Sequence, residues 1–157
     1  MKQMRIFFGV LIVAVSFYSC DPNRLSDQNF EIENESWSKD QAITFDLQIE
    51  DTTLHYNIYV NIRNSSEYAY SNIYLFIEMT SPTNKFFKDT VEFKLADPSG
   101  KWIGSGIGNI WQNQIPLLQK VKLLEPGTYQ IKIYQGMRED VLNAITDVGI
   151  RVEKVYE

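Results

Sequence analysis

The sequence predicts an all-β fold, an antiparallel β-sandwich of about seven to eight strands with one short helix. Three observations carry this. Apolar and polar residues alternate in run after run, Pro, Gly, Asn and Asp collect where each run stops, and only one segment has helical spacing. Hydrophobic residues make up 44% of the 157 and charged residues 22%, enough apolar surface for one ordinary globular core.

In chain order, the first element is a leader. Met1 to Arg5 is basic, Ile6 to Phe17 is apolar, and Tyr18-Ser19-Cys20 follows, which is the order of an export signal. As a helix the apolar stretch would rise about 18 Å, short of the roughly 30 Å a bilayer core requires, so it reads as a signal and not a membrane span. Residues 1–19 are therefore expected to be a lipoprotein signal peptide. Cys20 is the only cysteine, which excludes an intramolecular disulfide and a thiolate metal cluster. Ser19 before it resembles the lipobox, although Phe17 and Tyr18 are bulkier than that box usually holds; the alternative is a leader cut elsewhere. An acylated Cys20 would hold the chain on a membrane, each buried CH₂ contributing about 0.8 kcal/mol.

Residues 20–40 are polar and follow neither period, so they read as a lipidated tether in which Phe30 and Trp37 pack the start of the domain. The sandwich is expected over 41–157. Ile43, Phe45, Leu47 and Ile49 alternate with Thr44, Asp46 and Gln48, and Leu54, Tyr56, Ile58, Val60 and Ile62 repeat the period, so the two runs suggest a hairpin. Further strands are predicted through Ile73 to Met79, Val91 to Leu95, Leu117 to Leu124, Tyr129 to Ile133 and Val148 to Val152. The turns between them, such as Ser81-Pro82-Thr83-Asn84 and Asp97-Pro98-Ser99-Gly100, suggest an antiparallel meander. Met137, Val141, Leu142 and Ile145 have helical spacing and predict the one short helix. Each strand offers one apolar face, which a second sheet has to cover.

Charge narrows the functions. Without Lys2 and Arg5 the mature chain has 13 basic against 20 acidic residues, a formal charge of −7, and no basic run, which argues against nucleic-acid binding. His55 is the only histidine and falls on a wet face, so neither a triad nor a zinc site is expected; no metal, no cofactor and no catalytic residue is assigned. Acidic pairs such as Asp89 with Glu92 and Glu139 with Asp140 read as solvated surface. Gly104-Ser105-Gly106-Ile107-Gly108 lacks the βαβ context and the lysine of a phosphate loop, and its glycines are expected to let the backbone take positive φ or to pack closely under Trp102 and Trp111. Tyr59, Tyr74 and Tyr134 lie on wet faces by parity and leave a glycan-binding surface as the alternative function.

Several stretches occur in an order that resembles the gliding-motility lipoprotein H family of Bacteroidota. They are Arg63-Asn64, Tyr68-Ala69-Tyr70-Ser71-Asn72-Ile73, Asp89-Thr90, Leu95-Ala96-Asp97, Gly100-Lys101-Trp102-Ile103-Gly104, Gly127-Thr128-Tyr129, Gln135-Gly136-Met137-Arg138 and Asp147-Val148-Gly149-Ile150. The resemblance implies a non-enzymatic cell-envelope lipoprotein of the gliding apparatus, anchored in a membrane by Cys20 and facing the periplasm, with the choice of inner or outer membrane open. It also implies partners among other gliding or type IX secretion proteins, linked to surface adhesin secretion. Trp102, after a turn, and Arg138, suited to bidentate contact with an acidic partner, are the expected partner-binding residues, the alternative being that both brace loops.

Overall fold

A computed structural model describes residues 21–156; Cys20 and the leader lie outside them. In chain order the elements are β1 (Arg24–Glu31), a 3-10 turn (Glu33–Glu35), β2 (Ser36–Ser38), β3 (Ile43–Ile49), β4 (His55–Ser65), β5 (Asn72–Thr80), β6 (Phe86–Lys94), β7 (Ser105–Ile107), β8 (Ile110–Val121), β9 (Gly127–Gln135), β10 (Val141–Asn143) and β11 (Ile145–Val155). One sheet has the order β1-β11-β4-β8-β7, the other β3-β9-β5-β6, and β10 pairs with β2 as a small ribbon.

Alternation places the core. Ile58, Val60 and Ile62 lie opposite Val152, Ile150 and Val148 in the first sheet. In the second, Ile43, Phe45 and Leu47 lie opposite Ile133, Ile131 and Tyr129. All are buried in one cluster, where each side chain removed from water contributes about 1.5–3 kcal/mol. This is the two-layer β-sandwich that the alternating runs predict.

Four expectations are corrected. Met137 to Ile145 is not a helix: Val141–Asn143 forms β10, with Leu142 opposite Trp37, and Ala144 turns the chain at a φ of 66°. Strand pairing with β2 satisfies this backbone, and the helical spacing is coincidental. Residues 24–40 are not a tether. Arg24–Glu31 forms a full edge strand on β11, and Trp37 is fully buried, its indole N–H donating to the Gln41 carbonyl, whereas Phe30 remains exposed. β3 and β4 do not form a hairpin, because β3 pairs with β9 and β4 with β11 and β8; residues 50–54 carry the chain from one sheet to the other, and the meander gives way to this crossing. The strand expected at Leu117 to Leu124 spans Ile110–Val121 instead, preceded by β7 in the glycine-rich segment. There a Cβ on Gly106 would come within 2.6 Å of the Trp111 ring, so the close packing expected of these glycines is met at Trp111.

The strand ends define two poles. Residues 21–23, 50–54, 81–85, 122–126 and 156 gather at one, the anchor end, so labelled because Asp21, next in sequence to the cysteine expected to be acylated, lies there. Loops 66–71, 95–104 and 136–140 and the β7–β8 turn gather at the other, the distal end. At the anchor end Glu125 accepts from Lys85 Nζ and Thr83 Oγ1, and these bonds hold its carboxyl down to about 2 from an ordinary 4.5.

A methyl group on Gly149 would sit 2.2 Å from Asn29 Oδ1 and 2.6 Å from the Gln28 carbonyl oxygen, so it collides with the backbone of β1. Gly149→Ala is expected to lower stability by about 1–3 kcal/mol in denaturant titration, with amide protection lost first over β1. Because the folded pKa of Glu125 is depressed, its contribution is complete above pH 4.5 and disappears as pH falls toward about 2. Acid titration of Glu125→Gln should lack that part of the stability loss; an unchanged acid profile would show that the joint contributes nothing.

Candidate functional site

The turn Asp97-Pro98-Ser99-Gly100 builds the first part of the distal end. Asp97 Oδ1 accepts from the backbone N–H of Ser99 and of Lys101 and from the Ser99 hydroxyl, and the chain returns as a bridge between Ala96 and Trp102. Ile103 N–H donates to the Leu95 carbonyl, closing the loop on itself. Trp102 is thereby held half-buried against Tyr68, with ring centroids 6.4 Å apart, and Tyr68 meets Tyr70 edge-on at 5.8 Å. Tyr68 is buried with its hydroxyl donating to the Asn72 carbonyl, and burial raises its phenol above the ordinary range.

Tyr70 carries the contact onward, its hydroxyl donating to Glu139 Oε1 at 2.6 Å, which raises the Tyr70 phenol. Gln135, almost wholly buried at the end of β9, fixes this loop: its amide donates to the Glu139 carbonyl at 2.7 Å and accepts from Met137 N–H at 2.9 Å. Lys39 pairs with Asp140 on the far side. Between these fixed points Arg138 is exposed, and its guanidinium makes no hydrogen bond or ion pair among the described residues. Trp102 and Arg138 thus belong to one end of the molecule, joined through Tyr68, Tyr70 and Glu139. Trp102 braces its loop, while Arg138 is the available charge.

Sequence reasoning missed the exposed apolar side chains at this end. Ile103, Ile107 and Val141 are exposed, Ile107 at 91% at the end of β7. Beneath Ile107 a cleft of about 510 Å³ runs between the β7–β8 hairpin and the outer face of β4 and β11, with Arg63, Asp147, Gln112 and Thr146 in its wall. The placement of an isoleucine between Gly106 and Gly108, in a segment too short to bury it, was the available signal. Exposed apolar residues at the same end as an uncommitted arginine have the makeup of a protein contact surface.

Other expected features are dispersed. Tyr74 and Tyr134 share the outer face of the second sheet, with Phe76 opposite Tyr134, but Tyr59 lies on the first sheet, so the three tyrosines form no single platform. His55 sits at the anchor end opposite Val155. Glu92 is engaged by Asn72, Asp89 by Thr90, Glu139 by Tyr70 and Asp140 by Lys39, so each carboxylate has a separate partner. No group of three His, Cys, Asp or Glu suited to a metal occurs among the described residues. Cys20 lies outside them, but its neighbour is fixed: Asp21 is ion-paired to Arg151, which also donates to Asp27 and Glu153, and Lys154 N–H donates to the Asn23 carbonyl at 2.7 Å.

The sequence model of the GldH lipoprotein family matches residues 24–152. A gliding motility lipoprotein GldH homolog of Christiangramia forsetii is 38% identical over 161 residues, covering 96% of this chain and 98% of the relative. The gliding motility lipoprotein GldH of Flavobacterium johnsoniae is 33% identical over 152 residues, covering 92% and 94%. Among solved structures, an infectious bursal disease virus protein overlaps with a TM-score of 0.40 at 13% identity, over 85% of this chain and 31% of that one, too distant to inform the fold or the function.

Gln135→Met preserves the length of the side chain and removes both bonds to the Arg138 loop. A loss of about 1–3 kcal/mol in chemical denaturation is expected, with faster amide exchange over residues 136–140. Unchanged exchange there would mean that the loop is held by its other contacts.

Proposed function

The chain belongs to the GldH lipoprotein family, and on that premise we propose that it is a non-enzymatic assembly or stabilising component of the gliding apparatus, acylated at Cys20 and facing the periplasm. Its partners are other gliding or type IX secretion proteins, and its work is linked to surface adhesin secretion. The observation that carries this reading is the separation of the two poles. The chain emerges from Cys20 at one end, and β1 rises about 26 Å along the sandwich toward the other. There Arg138, Ile103 and Ile107 are exposed, and Trp102, Tyr68, Tyr70 and Glu139 hold the loops that carry Arg138 and Ile103, while Ile107 stands on the β7–β8 hairpin. An anchored domain of this form presents its contact surface away from the membrane. The uncommitted guanidinium favours an acidic partner.

A second reading, a glycan-binding surface lipoprotein, is favoured by the half-exposed Tyr74 and Phe76 beside Tyr134 on the second sheet. Retention on oligosaccharide or peptidoglycan columns would support it.

The deciding experiment is a pull-down from cross-linked membranes with tagged wild type, Cys20→Ala and the pair Arg138→Glu with Ile107→Ser, read by mass spectrometry. Wild type is expected to recover gliding or type IX components. Cys20→Ala should lose both the membrane and the partners, and the double variant should keep the membrane and lose the partners. Full recovery by the double variant would remove the distal end from the interaction, and recovery of no such protein by wild type would turn the reading toward glycans.

A further inference from the structure

The anchor end carries side chains that the proposed partner surface leaves unexplained. Leu124 is 74% exposed, Phe86 62%, Tyr156 60% and Phe87 48%, all at the tips of strands or in the loops of this end. The ion pair of Lys85 with Glu125 and the bond from Thr83 to Glu125 put Phe86 and Leu124 on loops that are joined to each other. Tyr156 follows Lys154, whose N–H is bound to Asn23. In the strand order β1-β11-β4-β8, the end of β8 before Leu124 is three strand spacings from β1, about 14 Å. The apolar tips therefore lie within one short span of the point where the chain leaves for Cys20.

Most carboxylates at this end are engaged, Glu50 being exposed without an ion pair among the described residues. Asp21 and Glu153 are held by Arg151, Glu125 by Lys85, and the Asp51 carboxylate accepts from Thr53. The side chains of Lys120 and Lys122, by contrast, are exposed and form no ion pair among the described residues. Unpaired lysines interleaved with exposed aromatic and aliphatic side chains are the composition that settles at a lipid interface. The ion pair from Arg151 to Asp21 ties the residue that follows Cys20 in the sequence to the sandwich.

We propose that the anchor end is itself a membrane-contact surface: Phe86, Leu124 and Tyr156 enter the headgroup layer beside the acylated cysteine, and Lys120 and Lys122 meet lipid phosphates. The sandwich then stands on the bilayer in a fixed orientation. This rests on the reading that Cys20 is acylated.

Trp37, Trp102 and Trp111 are all at the distal side, so wild-type emission serves as an internal control. Acylated full-length protein would be reconstituted into phosphatidylethanolamine and phosphatidylglycerol vesicles with plain or brominated acyl chains. The added emission of Leu124→Trp is expected to be lost in brominated vesicles while wild-type emission is unchanged. Lys120→Glu with Lys122→Glu on that background should restore it. Flotation with the vesicles but equal Leu124→Trp emission in both lipids would overturn the contact surface and leave acylation standing, as would quenching of the wild type. Failure of the wild type to float would remove the acylation reading and the contact surface together.

Discussion

The structure depends on the pairing of its first strand with its last. β11 lies between β1 and β4, hydrogen-bonded on both sides, with Val148, Ile150 and Val152 facing the core. With a single cysteine in the chain, no disulfide reinforces this closure. Gly149 lets the backbones approach, and Arg151 distributes its guanidinium over Asp21, Asp27 and Glu153, acids from both strands and from the segment before them. A planar group with five donors suits this task in a way that lysine does not. β1 has no other strand partner, so whatever weakens β11 also releases the segment nearest Cys20.

The sandwich keeps two kinds of surface apart. At the distal end, loops are fixed by buried groups, Gln135 and Tyr68 above all, so that Arg138 stands out from a held loop, with Ile107 exposed on the β7–β8 hairpin of the same end. At the anchor end, Glu125 and Asp21 are ion-paired, and Lys120, Lys122 and the apolar tips Phe86, Leu124 and Tyr156 are exposed. Sequence totals conceal this division, because they do not record which end of a strand a residue occupies.

The strands that show in the sequence are those with one dry and one wet face. Ile43 to Ile49 is the plainest, each odd residue buried and each even one exposed. β1 did not show because it is an edge strand with polar residues on both faces; its stability comes from backbone pairing and the Arg151 cluster, which leave no hydrophobic period. The predicted helix failed because burial of Leu142 against Trp37 beside exposed Val141 produces helical spacing without helical bonding. A hairpin and a crossing between sheets require similar short loops, so residues 50–54 could not distinguish them. At the distal end the turn that presents Trp102 was legible from Asp97-Pro98-Ser99-Gly100. The line from Tyr68 through Tyr70 to Glu139 was not, since its members are 69 residues apart at the final bond.

The adjacency of first and last strands also fixes an order of events in biogenesis. A chain delivered N-terminus first brings out Arg24–Glu31 long before Ile145–Val155, and β1 has no local partner to wait with. Such a non-local topology folds slowly, since loop closure over nearly the entire length precedes the contacts that reward it. If Cys20 is acylated as proposed, its processing would take place on an unclosed chain whose strand edges are open to other polypeptides. The membrane would receive the lipid before it receives the domain, and folding would proceed with one end of the polymer already tethered.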